Sequence, residues 1–453
     1  MANFHTVSRF AGAVLVTLAL AWGCSGGSGR AAAEMPIGMF DSGTGGLTVM
    51  EAFLALDEFD NATGQSGADG VPDFRGEHFN FLADQINMPY GIYNAEGKGD
   101  FLRELILNDA KFLTTSPNNS KIVVVACNTA TAYGLSDIDS YLKQKENGVR
   151  VIGVINAAVK ALMENIPSGE RCAVGVMATA GTISSGGYER TILEAFKERG
   201  DSVMPMVFNQ PGVGFAEAVD MEPNFLKAEA VSTRDEYKGP QTGAGDGQID
   251  PSLMSVYRFN RSKNALLTGR DSAGKEIIQL NSAGNYARYH LVSLIEKLRK
   301  EGSGVQMKNI ILGCTHYPYL LDTLARVATE LRELKIDGKY PYRDLLPEKV
   351  NFIDPAKFVA IESYIALRDD NLLARRESET LLKSFISVPA PGTDPAMLDE
   401  RGGFTYSFKY GRTPGEAEKT YIIEELQKRH MPVESIQRIR ERLPLTFSLM
   451  KIE

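Results

Sequence analysis

From Met35 onward, short apolar runs end in glycine-rich or polar turns, and each turn passes into a helical pattern. "PIGMF" leads into "DSGTGGLTVM", "HFNFLAD" into "QINMPYG", "KIVVVA" into "CNTATAYGL" and "VRVIGVI" into "NAA". "CAVGVMA" is followed by "TAGTISSGGYERTILEAF", "NIILG" by "CTHYP" and "VNFID" by "PAKFVAIESYIAL". Apolar runs this short, rich in β-branched residues and bounded by Gly or Pro, read as buried strands. Strands that alternate with helices are joined by crossovers, which gives parallel sheets with helices on both faces. The expected fold is therefore α/β with mostly parallel sheets. A chain of 453 residues exceeds one ordinary core, so two or three domains are expected. Residues 35–150 and 151–345 each carry such a series and look like two lobes.

Three segments break the rhythm. Residues 57–76 are polar and Gly/Asp-rich and read as a loop. Residues 221–278 are polar and mixed, too long for a plain connection, and are expected to form a surface subdomain or excursion. Within them "GAGDGQID" lacks the acidic spacing and closing Glu of a calcium loop and reads as solvated. Residues 346–453 are expected to return to the first lobe and end in a charged extension, with helical patterns in "AEKTYIIEELQKRH" and "ESIQRIRERL".

Residues 1–34 stand apart. Arg9 precedes an apolar run shorter than a membrane span, followed by small residues. This reads as a secretory leader. Ala21-Trp22-Gly23-Cys24 is similar to a lipobox that would leave a lipidated Cys24, although Trp22 fits it poorly. Cleavage after "AAA" at 31–33, releasing a soluble protein from Glu34, and an uncleaved anchor are the other readings. Each predicts an exported protein, periplasmic or tied to the cell envelope, touching membrane only through that anchor. The net charge of −8 disfavours nucleic acid or an anionic membrane surface as partner. With no CxxC pair and five His, a structural metal site has no support.

Two strand ends match each other. "VVVACNTATA" and "IILGCTHYPYL" each place a cysteine directly after an apolar strand, followed by hydroxyl or amide residues. If the two halves face each other, Cys127 and Cys314 flank one cleft, with Asp41 near the first and His316 beside the second. Opposed thiols are suited to removing a proton from one face of a carbon and delivering another to the opposite face. A thiol titrates near ~8.5 in water, so thiol and thiolate can coexist where local groups differ. Cys172, inside "RCAVGVM", reads instead as a buried strand residue. A carbon held between Cys127 and Cys314 would keep them too far apart for a disulfide.

These residues resemble the cofactor-independent glutamate racemases of the aspartate/glutamate racemase superfamily. Five motifs carry the resemblance in order: "IGMFDSGTGGLTV", "LADQINMPYG", "VVVACNTATA", "GTISSGGYER" and "LGCTHYPYL". The resemblance covers roughly 37–220 and 280–365 and implies two pseudo-symmetric lobes with the active site in the cleft between them. It implies Cys127 and Cys314 as the acid/base pair, with Asp41 assisting the first and His316 the second. It implies that Ser42, Asn128, Thr129 and Thr315 hold the polar groups of the amino acid. Pro89, Tyr90 and Gly91 would form a loop for the side-chain carboxylate, and Thr182 would border the pocket. No pyridoxal phosphate, metal or nucleotide is expected, and the oligomeric state is left open, a homodimer included.

The sequence departs from the family where Asn156 replaces the usual Glu, and where Asn209 and Gln210 precede Pro211 in place of a Cys-Pro pattern. The 221–278 insertion, the long C-terminal extension and the leader are also unusual for enzymes that supply D-glutamate for cell-wall synthesis in the cytoplasm. The expected activity is interconversion of L- and D-glutamate. Alternatives are an aspartate or broad-specificity racemase, or an exported protein that binds amino acids without turnover.

Overall fold

The computed structural model describes residues 31–452, apart from 147, 246 and 375–378. The lipidation reading at Cys24 lies outside the described residues. Among the described residues, no helix is long and apolar enough to cross a membrane.

Four early runs form strands as expected: β1 (Ile37–Asp41), β2 (His78–Ala83), β3 (Ile122–Val125) and β4 (Arg150–Gly153). Next come β5 (Ala173–Ala178), β6 (Met206–Pro211), β7 (Leu266–Arg270), β8 (Glu276–Leu280), β9 (Met307–Gly313) and β10 (Asn351–Ile353). The last two are β11 (Leu381–Pro389) and β12 (Tyr421–Glu425). One sheet has the order β12-β11-β2-β1-β3-β4 and a second has β10-β9-β5-β6. All pairs in both are parallel except β11 with β12, and β7 and β8 make a separate antiparallel hairpin.

Both faces of each large sheet are covered, which is why the strands read as continuous apolar runs without a polar face. In the first lobe, Ile37, Met39 and Val124 point toward Phe53 and Tyr364, while Phe40, Val123 and Val125 share the other face with Leu105 and Ile138. In the second, Met177, Ile310 and Leu312 pack with Leu291 and Val327, and Val174, Val176 and Ile311 pack with Leu162 and Ile192. The helix Val154–Glu164 serves both lobes: Val154 and Ala157 join the first core, Ile155 and Ala158 the second.

Three segments differ from expectation. The insertion does not lie wholly on the surface, because Ile249, Val256, Tyr257 and Ile278 are buried in the second core. β10 lies beyond residue 345 yet still pairs with β9, so the chain returns to the first lobe only through the helix Pro355–Asp369. "YIIEE", read within a helical pattern, is the edge strand β12. Its backbone completes the pairing of β11, from Phe385 opposite Glu425 to Pro389 opposite Tyr421. An outer strand next to a strand already paired on its other side gains ladder bonds that its weak helical pattern could not offset.

Candidate functional site

The two cysteines occupy equivalent places. Cys127 follows β3, an inner strand of the first sheet, and Cys314 follows β9, an inner strand of the second. Such positions, at the carboxyl ends of parallel strands, are where α/β folds place their ligands. Cys127, Cys172 and Cys314 are all free and buried, so no disulfide joins the two strand-end thiols.

On the first side, Cys127 caps the helix Asn128–Lys145, its sulfur accepting from the Ala130 amide at 3.4 Å. Its thiol lies 3.7 Å from Ser42 Oγ. Asp41, at the end of β1, accepts the Gly46 amide at 2.6 Å. Burial pushes the Asp41 carboxyl up, against the hydrogen bonds it receives from Cys127, Gly46 and Ser42. Burial and the Asp41 charge likewise push the Cys127 thiol up, so it is held as the protonated partner.

The second side carries the opposite charge. His316 Nδ1 lies 3.6 Å from Cys314 Sγ and 3.4 Å from Thr315 Oγ1. Its Nε2 lies 3.1 Å from Asp220 Oδ2. Burial pulls the imidazole down, but the charge and hydrogen bond of Asp220, together with Cys314, outweigh burial and hold it well above its usual range. Burial pushes Asp220 up, yet His316, Arg438 and Arg442 keep it below the usual carboxylate range. Both partners thus favour an imidazolium–carboxylate pair. Asp41, Glu217 and Glu222 also act on His316 through space.

The lobes are closed over this site: Cys127 and Cys314 are each 6% exposed. Thr129 and Thr182 meet across the lobes at 3.2 Å, and Tyr188 donates to Asn128 Oδ1 at 2.7 Å. A small cavity is lined by Asn128 from one lobe and Cys314 and Thr315 from the other. The glycine turn after Asp41 makes this approach possible. A Cβ on Gly45 would stand 3.0 Å from both His316 Cε1 and Thr315 Oγ1. Gly91 and Gly181 touch backbone to backbone, since a Cβ on Gly181 would lie 2.3 Å from Gly91 Cα.

Ser42, Asn128, Thr129, Thr182 and Thr315 therefore gather around the two thiols. Tyr90 does not: its hydroxyl is buried and bonds Asp84 and, at 2.8 Å, Asp109. Its side chain serves the core of the first lobe, because two buried carboxyls need a donor there. Pro89 accepts from Tyr410 at 3.3 Å, so the Pro89–Gly91 turn is braced by the C-terminal extension. Sequence reasoning missed Asp220 and Tyr188. Tyr188 stands inside a quoted motif, whereas Asp220 belongs to no pattern and precedes the insertion by one residue. Asn156, in place of the family's Glu, is exposed, and the carboxylate beside His316 comes from Asp220.

No family model matches the chain. It is 26% identical over 342 residues to the glutamate racemase of Carboxydothermus hydrogenoformans, covering 75% of this chain and 83% of that protein. It is 27% identical over 297 residues to the glutamate racemase of Oceanobacillus iheyensis, covering 66% of this chain and 73% of that one. Among solved structures, it is similar to the glutamate racemase of Francisella tularensis in complex with D-glutamate, at 20% identity and a TM-score of 0.44, covering 78% of this chain and 88% of that one. By sequence the chain is similar to the glutamate racemases, as its motifs imply. That likeness contradicts the expectation of an exported, periplasmic or envelope-bound protein, because glutamate racemases supply D-glutamate in the cytoplasm.

Proposed function

We propose that the chain interconverts L- and D-glutamate by proton transfer at Cα between Cys127 and Cys314, without a cofactor. The observation that carries this reading is the pair of free, buried thiols at equivalent strand ends, each beside a group of opposite charge. In one direction the Cys314 thiolate takes the Cα proton and becomes a thiol. The electron pair left on carbon is delocalised into the α-carboxylate. The Cys127 thiol then protonates the opposite face and becomes the thiolate. The reverse reaction exchanges the two roles, so atoms and charge balance in each direction.

Asp41 and His316 tune the thiols. Ser42, Thr129, Thr182 and Thr315 offer hydroxyls, and Asn128 an amide, to the ammonium and carboxylate groups. The first-turn amides of the helix Asn128–Lys145 favour a carboxylate. The Pro89–Gly91 turn, through its backbone, borders the distal carboxylate. The relatives' names support glutamate over aspartate. Optical rotation followed with L-glutamate, L-aspartate and a panel of other L-amino acids tests the assignment. Decay of the glutamate signal to zero supports it, and faster decay with aspartate, or no decay with any of the amino acids, contradicts it.

A further inference from the structure

The helix Val433–Arg442 belongs to the C-terminal extension and buries Ile436 and Ile439 in the first core. Just beyond it, the amides of Leu445 and Thr446 bind the Glu51 carboxylate at 3.1 and 2.7 Å, which ties this end to the helix Leu47–Ala55. Arg438 and Arg442, one turn apart on the same helix, reach instead toward the second lobe. Arg442 lies over the Tyr319 ring at 4.7 Å. Arg438 donates to the Asp220 carbonyl at 3.0 Å and places Nη2 at 3.5 Å from Asp220 Oδ1.

The two oxygens of Asp220 are thereby divided. Oδ1 faces Arg438 and Oδ2 faces His316, whose other nitrogen faces Cys314. A carboxylate gripped at one oxygen and at its own carbonyl has lost most of its rotational freedom, so its second oxygen is aimed before the reaction begins. Asp220 needs this grip, since it lies past the end of the short helix Phe215–Val219 and is followed by Met221 at φ +58°.

We propose that Arg438 is a positioning residue for Cys314: from the first lobe, it holds Asp220 so that His316 is fixed against the thiol only when the lobes are closed. This rests on the racemase reading, and the test separates the two. His316 is faced by Cys314, by Asp220, Glu217 and Glu222 after β6, by Asp41 of the first lobe, and through Asp220 by Arg438 and Arg442. Arg438 carries the same charge as imidazolium, so its simple loss as a charge would raise the His316 titration midpoint. Loss of its grip on Asp220 would lower it.

The full chain and its Arg438→Ala, Arg438→Lys, Asp220→Asn and Arg438→Ala/Asp220→Asn variants are labelled at histidine Cε1 and titrated by NMR, with His316→Asn identifying the signal. We expect Arg438→Ala to lower the His316 midpoint by about one pH unit. We expect kcat to fall about tenfold with KM changed by less than about twofold, and Arg438→Lys to recover part of the loss. The double variant should be no slower than Asp220→Asn alone. An unchanged or raised midpoint overturns the proposal, as do losses that multiply in the double variant. If the wild-type chain turns over no amino acid, the racemase reading fails while the titration still decides the role of Arg438. Should Arg438→Ala melt early, Arg438→Lys carries the titration alone, with a smaller drop expected and a rise overturning the proposal.

Discussion

Cys127 and Cys314 stand at matching strand ends, yet their surroundings carry opposite charge. Cys127 is buried beside the Asp41 carboxyl and held as a thiol. Cys314 faces His316, which Asp220 keeps protonated. Two lobes of the same architecture thus present an acid on one side and an anion-stabilising group on the other. The difference comes from the residues after each strand. On the first side the polar partners, Asp41 and Ser42, are local to the sheet. On the second the decisive carboxylate arrives from residue 220 and is braced by residue 438. In the proposed scheme this asymmetry assigns Cys127 the acid role in one direction, and the reverse direction exchanges the two roles.

Removing either sulfur should break this arrangement most severely. Cys127→Ala and Cys314→Ala should each lose about 10³-fold or more in kcat in both directions, because each direction uses both groups. Chiral separation of product measures this, and near-normal turnover in either variant would end the two-base scheme. His316→Asn and Asp41→Asn should follow with losses of about 10²-fold, in kcat more than in KM, since both act on proton transfer. Equal losses in KM would assign them to substrate binding instead.

Asp220→Asn sharpens the comparison through pH. The His316 pKa is raised in the folded chain, so its cation persists through neutral pH and is lost as pH rises through the raised value. Without the Asp220 charge, the alkaline limb of kcat/KM should move to lower pH, while the limb set on the Cys127 side stays. A uniform drop across the profile would contradict the assigned role. The same linkage bears on stability: the pair's contribution is complete at about 6.5, fades as pH rises through the folded value of His316, and is lost in acid only where Asp220 itself takes a proton. Chemical denaturation at several pH values should show that fading in the wild type and its absence in Asp220→Asn. Smallest is the effect of Gly45→Ala, whose added carbon crowds His316 and Thr315 at 3.0 Å. It should cost roughly 1–3 kcal/mol of closure, seen as a raised KM with kcat less affected.

The parts legible in the sequence are those where one short stretch carries the whole signal. β3 and β9 are apolar runs ended by Cys127 and Cys314, and burial on both faces makes such runs unmistakable. β11 was not legible, because Lys383, Ser384 and Ser387 interrupt its apolar pattern, although Ser384 and Ser387 are buried. β12 was hidden because an edge strand of five residues, with Ile422 exposed, lacks a clear period. The motif puts Tyr90 on a loop for the side-chain carboxylate, and only the fold shows its hydroxyl turned toward Asp84 and Asp109. The chain from Arg438 through Asp220 to His316 joins residues far apart in sequence. No local pattern records such a contact, because it exists only once two lobes and a C-terminal helix have packed.

The most direct test of proton exchange between two opposed thiols is the fate of the Cα hydrogen in the first turnovers. L-glutamate incubated with the wild-type chain in D2O, stopped at low conversion and separated by enantiomer, should yield D-glutamate carrying deuterium at Cα, with the remaining L-glutamate unlabelled. D-glutamate that retains the original hydrogen, or L-glutamate that gains deuterium before inversion, would mean that one group both removes and returns the proton, and would contradict the account.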